Sequence, residues 1–151
     1  AIYSGKVSSL IPWAIIQREG LWPGGDPNPR TAFTVTDDAE VTTHYPYHFY
    51  RHLCRAGQPG SAVAPAWVNY FKQGAIAFSG QGKIKDSFVL LNSDDKPFEI
   101  EWEVRGSSST VFEASYSSPA SNLEKMGKIR VNNEKLRVKL EPESITSFIG
   151  V

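Results

Sequence analysis

The sequence has little of what most often decides the class of a protein. It contains one cysteine, Cys54, which excludes an internal disulfide and a cysteine-based metal site. Its 16 basic and 16 acidic residues cancel, so no positive excess favours a nucleic-acid partner. No apolar run approaches the roughly 20 residues of a membrane-spanning helix. With 151 residues, the chain suits one domain, or one domain with a fragment of a neighbour.

Motifs for catalysis and metal binding are also missing. No Gly-x-Ser-x-Gly nucleophile elbow occurs. His44, His48 and His52 repeat every four residues, but the pair on the predicted helix lacks the glutamate of the His-Glu-x-x-His pattern. We expect a partly exposed helix surface there, not a metal site. Asp37-Asp38 and Asp94-Asp95 lack the ligand spacing of a calcium loop and are interpreted as turns, with calcium in a sandwich loop as an open alternative.

What is present is a strong β pattern. Residues 98–104, Phe-Glu-Ile-Glu-Trp-Glu-Val, alternate apolar and acidic, which predicts a strand buried on one face and solvated on the other. We interpret the three glutamates as a solvated face and Trp102 as a core residue. Asn132-Asn133 predicts a tight turn and a hairpin over residues 128–140. Eight short strands are predicted, which favours an antiparallel β-sandwich: 62–68, 75–79, 87–91, 98–104, 110–116, 128–131, 135–140 and 145–151.

The first sixty residues have a different character. Residues 7–17 form a nearly all-apolar run, typical of a strand buried on both faces in a parallel sheet. No parallel neighbour is evident nearby, so we interpret the run as part of an incomplete unit. A loop rich in glycine and proline is predicted over residues 19–30.

Short elements follow this loop. Two short strands are predicted, at 31–35 and 39–43. A helix is predicted over residues 45–56, because Pro46 suits its first turn and Gly57 suits its C-terminal cap.

Tryptophans carry the clearest sign of function. Trp13 lies near the end of the apolar run, and Trp22 lies in the Gly/Pro-rich loop. Aromatic rings stack on the C–H faces of sugars, in sites that are mostly apolar with a few polar groups. Trp22 is therefore a candidate ligand contact, whereas Trp67, at a strand end, is interpreted as core or inter-domain packing.

Five short motifs, in order, resemble the C-terminal end of family 30 glycoside hydrolases and related clan A enzymes. In those enzymes a (β/α)8 barrel precedes a β-sandwich. The motifs are Ser9–Trp13, Trp22–Pro29, Tyr45–Leu53, Arg55–Gly60 and Leu140–Phe148.

The resemblance implies a mainly β fold. We expect an antiparallel β-sandwich of about eight strands over residues 61–151. A strand-loop-helix segment over residues 1–60, resembling the end of a (β/α)8 barrel, would precede it.

The resemblance also implies site residues and partners. Both catalytic glutamates would lie before Ala1, so no catalytic residue is expected here. Trp13 carries over as an active-site wall residue, and Gln17 and Trp22 are substrate contacts by position in the loop after it. The implied partners are a polysaccharide or oligosaccharide and the N-terminal catalytic barrel of the same enzyme. The resemblance implies no metal or other cofactor. It implies a secreted or periplasmic location.

We therefore predict the C-terminal portion of a polysaccharide-degrading glycoside hydrolase. It would support the barrel and contribute to the carbohydrate cleft without hydrolysing bonds alone. The prediction requires an apolar surface, for the rest of the enzyme to cover, around Leu10, Ile15, Ile16, Phe49 and Leu53.

Two alternatives stay open on the sequence. One is a free-standing carbohydrate-binding module that uses Trp22 with tyrosines such as Tyr45, Tyr47 or Tyr70. The other is a β-sandwich interaction domain that binds no sugar.

Overall fold

The computed structural model describes residues 15–18 and 31–151. Within these ranges the strands form a three-stranded sheet (β1-β2-β3), a six-stranded sheet (β4-β5-β6-β11-β8-β9) and a two-stranded sheet (β7 with β10). The predicted mainly β fold with an antiparallel sandwich is confirmed. The elements are β1 (Ile16–Arg18), β2 (Phe33–Val35), β3 (Val41–Thr43), α1 (Tyr45–Ala56), β4 (Ala62–Ala64), β5 (Gln73–Ser79), β6 (Ser87–Asn92), β7 (Phe98–Glu103), β8 (Val111–Ser118), β9 (Ser121–Arg130), β10 (Lys135–Leu140) and β11 (Ser144–Gly150).

The main core lies between the six-stranded and two-stranded sheets. Phe88 sits at its centre, with its ring stacked 4.5 Å from Phe148 and 5.8 Å from Trp102. The edge of Phe112 approaches the same ring at 5.1 Å. Offset and edge-to-face ring pairs contribute beyond the area that they bury. The inward positions of β7 and β10 close the core, as the alternation over residues 98–104 predicts.

A second, smaller core covers the other face of the six-stranded sheet. Ala56 of α1 packs with Val89 of β6 and Ile145 of β11, and Phe49 and Leu53 add to the contact. The two central strands are thus buried on both faces. This is why the sequences of β6 and β11 show no regular polar stripe.

Helix α1 has the bounds predicted from the sequence. His44 is its N-cap, and the Gly57 N–H closes its last turn on the Leu53 carbonyl at 2.7 Å. The Gly57 backbone has φ −83°, so glycine is not needed there for a left-handed turn. It is needed for space, because a Cβ would lie 2.9 Å from the Phe78 ring. No helix among the described residues has the length and apolar character to span a membrane.

Strand β1 has the parallel neighbour that the sequence did not reveal. Ile16 pairs with Phe33 and Arg18 with Val35 in a parallel ladder. Strand β3 then pairs with β2 in the antiparallel sense. Residues 19–32 connect β1 to β2, which meets the dozen or more residues that a parallel connection requires. The pairing joins residues 17 positions apart, so no local pattern in the sequence indicates it.

Several strand bounds differ from the predictions for local reasons. Strand β4 ends at Ala64, because Pro65 cannot donate to a ladder. Strand β9 begins seven residues before the predicted residue 128, at Ser121. Its edge position leaves it largely exposed, and Leu123 and Gly127, at φ 51° and 90°, break its alternation.

The predicted turn after β9 is present, but it does not close a hairpin within one sheet. Asn133 and Glu134 have φ 49° and 59°, and Asn132 bridges Lys135 across the tight turn. Strand β9 belongs to the six-stranded sheet, whereas β10 pairs with β7. The turn therefore carries the chain from one layer of the sandwich to the other.

Candidate functional site

The predicted substrate contacts are only partly placed by the structure. Trp13 and Trp22 lie outside the described residues, as does Leu10. Gln17 is a half-buried residue of β1, opposite Thr34 of β2. The substrate-binding roles of Trp13, Gln17 and Trp22 stay predictions.

Hydroxyl groups tie β1 and β2 to the start of the helix. The Thr31 Oγ1 lies 3.2 Å from the Ile15 carbonyl oxygen and 2.7 Å from that of Phe33. The Thr34 Oγ1 is 2.9 Å from Nε2 of His44, the N-cap of α1. The face of β1 that carries Gln17 is therefore held in a fixed relation to the helix.

The predicted apolar surface is present on β1 but not on α1. Ile15 and Ile16 are 59% and 57% exposed, and Val41 of β3 is 61% exposed. Phe49 and Leu53 instead pack against the six-stranded sheet. The expectation for these two helix residues was wrong, because the sheet presents a second apolar face that the strand pattern alone did not disclose.

His52 also departs from expectation, since it is fully buried and not part of an exposed helix surface. Its Nδ1 lies 2.8 Å from the Ser147 Oγ, and its Nε2 lies 2.9 Å from the Ser117 Oγ. Burial, followed by the charges of Arg55 and Arg51, lowers the pKa of His52 to about 4. The neutral ring joins α1 to β11 and β8. Among residues 15–18 and 31–151, no three His, Cys, Asp or Glu side chains are grouped to hold a metal ion.

The β4–β5 connection exposes three aromatic rings, which we call the aromatic edge: Trp67, Tyr70 and Phe71. They are 73%, 57% and 102% exposed. Trp67 is therefore not a core residue of this chain, whereas the alternative interpretation, inter-domain packing, stays a prediction. Its neighbour Val68 packs into the main core instead, and adjacent side chains on an extended segment point in opposite directions.

A cleft of about 170 Å³ opens between the two layers of the sandwich. Trp102 contributes to it while also packing on Phe88, so this residue is more than the core residue that was predicted. The rim carries Asp86, Glu103 and Arg105. The last two form an exposed ion pair at 2.6 Å. The cleft thus combines an aromatic wall with positively and negatively charged hydrogen-bonding groups.

Asp86 shapes one side of this cleft. Its Oδ1 accepts from the Gly80 N–H at 2.9 Å, and its Oδ2 accepts from the Ser107 hydroxyl and the Ser108 N–H, each at 2.8 Å. Partial burial alone would raise the pKa of Asp86, but these hydrogen bonds hold it below its ordinary value. The ionised carboxylate therefore fixes the 106–109 turn against β6.

The tyrosines considered for a binding module separate into two groups. The Tyr45 hydroxyl donates to the Glu143 carbonyl at 2.8 Å, and burial together with the Glu143 charge raises the pKa of Tyr45. The Tyr47 ring lies 4.9 Å from Phe33. Both residues therefore hold α1 to its neighbours, whereas Tyr70 is exposed.

The outer face of β7 and β10 is a ladder of opposite charges. Glu101 accepts from Lys135 at 2.6 Å and from Arg137 at 2.8 Å. These bonds lower the pKa of Glu101. The three glutamates form a solvated face, as the alternation predicts, and Glu101 and Glu103 are ion-paired on it.

Comparison with solved structures finds the same fold in xylanases. A family 30 subfamily 8 xylanase from Clostridium acetobutylicum matches with a TM-score of 0.68 and 22% identity, over 85% of this chain and 32% of its own. A family 30 endoxylanase from Clostridium papyrosolvens matches at 0.64 and 17%, over 72% and 28% of the two chains. The catalytic domain of a family 30 xylanase from Talaromyces cellulolyticus matches at 0.65 and 14%, over 80% and 27%.

The predicted resemblance to the C-terminal region of family 30 enzymes is thereby confirmed for the fold. The matched segment is less than a third of the length of each of these three solved chains. No family model matches the sequence, and neither does any curated protein.

Proposed function

We propose that this chain is the C-terminal portion of a polysaccharide-degrading glycoside hydrolase. In this role it supports a catalytic barrel, contributes to the carbohydrate cleft and does not hydrolyse glycosidic bonds alone. The observation that carries the proposal is the fold shared with three xylanases, over most of this chain and less than a third of theirs.

The arrangement of β1 supports the same proposal. Within the described residues it is a parallel strand at the start of an otherwise antiparallel protein, and it pairs on one edge only. Ile16 of β1 and Ile15 just before it are exposed to the extent expected of a surface that another part of an enzyme covers.

The proposed chemistry assigns supporting roles to this chain. Trp13 and Trp22 would form walls against which sugar rings stack, and the Gln17 amide would bind hydroxyl groups. The acid and nucleophile carboxylates would come from the preceding barrel. Because polysaccharides are met outside the cytoplasm, the proposal includes a secreted or periplasmic location.

Release of reducing sugar tests the proposal. Residues 1–151 alone and the longest natural polypeptide that contains them are assayed on soluble xylan, glucomannan and hydroxyethylcellulose. We expect no release by residues 1–151, and release from at least one polymer by the longer polypeptide. Trp22→Ala in the longer polypeptide should raise KM. Hydrolysis by residues 1–151 alone, or no hydrolysis by the longer polypeptide, would contradict the proposal.

A further inference from the structure

The aromatic edge is an exposed apolar feature that the proposed function does not use. Trp67, Tyr70 and Phe71 lie within five residues of one another, and each is more than half exposed. Scattered exposed apolar residues are normal in proteins, but grouped ones mark binding surfaces.

The segment that carries these rings is anchored at both ends. Val68 is packed in the main core, and the Tyr70 ring meets the Phe98 ring at 4.8 Å. The Lys72 carbonyl accepts from the Ser93 N–H and the Ser93 hydroxyl, both at 2.8 Å. The backbone of residues 68–72 is therefore held in place before any ligand arrives, which reduces the entropic cost of ordering it on binding.

The aromatic edge continues toward the Trp102 cleft. Phe98, which contacts Tyr70, and Trp102 are inward residues of the same strand, four positions apart. At the rise of a β-strand they are separated by about 13 Å. Pro65 lines the cleft and precedes Trp67 by two residues. The exposed aromatic edge thus begins two residues along the chain from a cleft with an aromatic wall, an arrangement that suits a ligand longer than one sugar ring.

The charges along this side show no positive excess, because the Asp86 carboxylate at the cleft adds one negative charge to two ion pairs. Lys72 pairs with Asp94 at 3.1 Å near the aromatic edge, and Arg105 pairs with Glu103 at 2.6 Å at the cleft. A polyanion would need an excess of positive charge, which is absent from these two pairs. Ammonium, guanidinium and carboxylate groups together supply the donors and acceptors that hydroxyl groups require.

We propose that this side of the sandwich is a non-catalytic binding site for a neutral polysaccharide chain. Sugar rings would stack on Trp67, Tyr70 and Phe71, and the chain would extend toward Trp102. The proposed hydrolase function suggests the same class of ligand, but this site needs no catalytic barrel.

Affinity electrophoresis of residues 1–151 tests the site. Native gels contain arabinoxylan, glucomannan, hydroxyethylcellulose or the polyanion polygalacturonate. We expect retardation by at least one neutral polymer and none by polygalacturonate. Trp67→Ala and Phe71→Ala should each weaken binding about tenfold, as expected for a central aromatic contact. The matched control is Val41→Ala, which truncates an apolar side chain that is 61% exposed on the three-stranded sheet and should leave binding unchanged.

The proposal would be overturned if no neutral polymer retarded the chain, or if Phe71→Ala were retarded as strongly as the original chain. It would also be overturned if polysaccharide binding were lost in Trp22→Ala but kept in Trp67→Ala and Phe71→Ala. If the original chain bound no polysaccharide but formed dimers, and Trp67→Ala abolished the dimers, the aromatic edge would instead be an interface with a second copy. Phe71 is fully exposed, so its variant stays informative even if Trp67→Ala folds poorly. Polysaccharide binding by residues 1–151 does not depend on hydrolysis by the longer polypeptide. The two proposals can therefore fail separately.

Discussion

The sandwich and the three-stranded sheet differ in how completely each buries its own apolar residues. In the sandwich Phe112 and Phe148 are 0% exposed and Phe88 is 3% exposed. In the three-stranded sheet Ile16 and Val41 are more than half exposed. The sandwich buries a continuous apolar core of its own, whereas the sheet at the start of the chain presents a surface suited to further contacts. Stability and proposed enzyme contacts thus reside in different regions.

The largest expected effect comes from the centre of the sandwich. Phe88→Ala should lower the free energy of unfolding by about 3–5 kcal/mol, because it removes a ring packed against three others and leaves a cavity. Urea denaturation followed by fluorescence measures this. The matched variant Ile16→Ala should change the free energy by less than about 0.5 kcal/mol. Equal losses in the two variants would contradict the contrast between the regions.

The buried histidine makes the contact between helix and sandwich depend on pH. The pKa of His52 falls from an ordinary 6.5 in the unfolded chain to about 4 in the folded one. Between these values only the unfolded chain binds the proton, so folding stability is complete above pH 6.5 and declines as the pH falls toward 4. The decline should total about 3 kcal/mol. Urea midpoints measured from pH 7 to pH 4 give the slope of folding stability against pH.

Two variants isolate this contribution. His52→Gln should remove the part of the slope that lies between pH 6.5 and pH 4. Ser147→Ala keeps the ring and removes one of its hydrogen bonds, so it should cost about 1 kcal/mol and preserve the slope. An unchanged slope in His52→Gln would show that other groups cause the pH dependence.

Asp86 should have an intermediate effect at the cleft. In Asp86→Asn an amide NH2 would face a backbone N–H of Gly80 or Ser108 that now donates to the carboxylate. We expect a loss of about 1–3 kcal/mol in the free energy of unfolding. Asp38→Asn, in an exposed turn, is the control and should be nearly neutral. Thermal unfolding compares the two, and a neutral Asp86→Asn would mean that the turn needs no charge.

The smallest effect on stability is expected at the exposed isoleucines, whose replacement should clearly reduce the exposed apolar surface. Replacing both Ile15 and Ile16 by Asn should alter the free energy of unfolding by less than about 0.5 kcal/mol. The same change should reduce binding of an apolar-surface dye by residues 1–151, because these side chains are exposed. A large loss of stability would instead place the two isoleucines in the core of this chain.

Short-range sequence patterns predict the elements whose structure depends on neighbouring residues. The helix over residues 45–56 followed from its proline, its glycine and its spacing, and strand β7 followed from perfect alternation. The I′-like turn at Asn133 followed from the tolerance of asparagine for positive φ.

Long-range pairing was what the sequence could not disclose. The β1–β2 pairing depends on residues fifteen or more positions apart, and the burial of His52 depends on serines 65 and 95 positions away. Trp67 is not in the core because Val68, its neighbour, takes the inward position.

Native mass spectrometry of the protein purified from its source, with denaturing mass spectrometry beside it, tests the central claim most directly. The account predicts that the 16.7 kDa chain is found within, or bound to, a larger polypeptide, and that this sample degrades a polysaccharide. A lone folded 16.7 kDa monomer that binds no apolar-surface dye would contradict it.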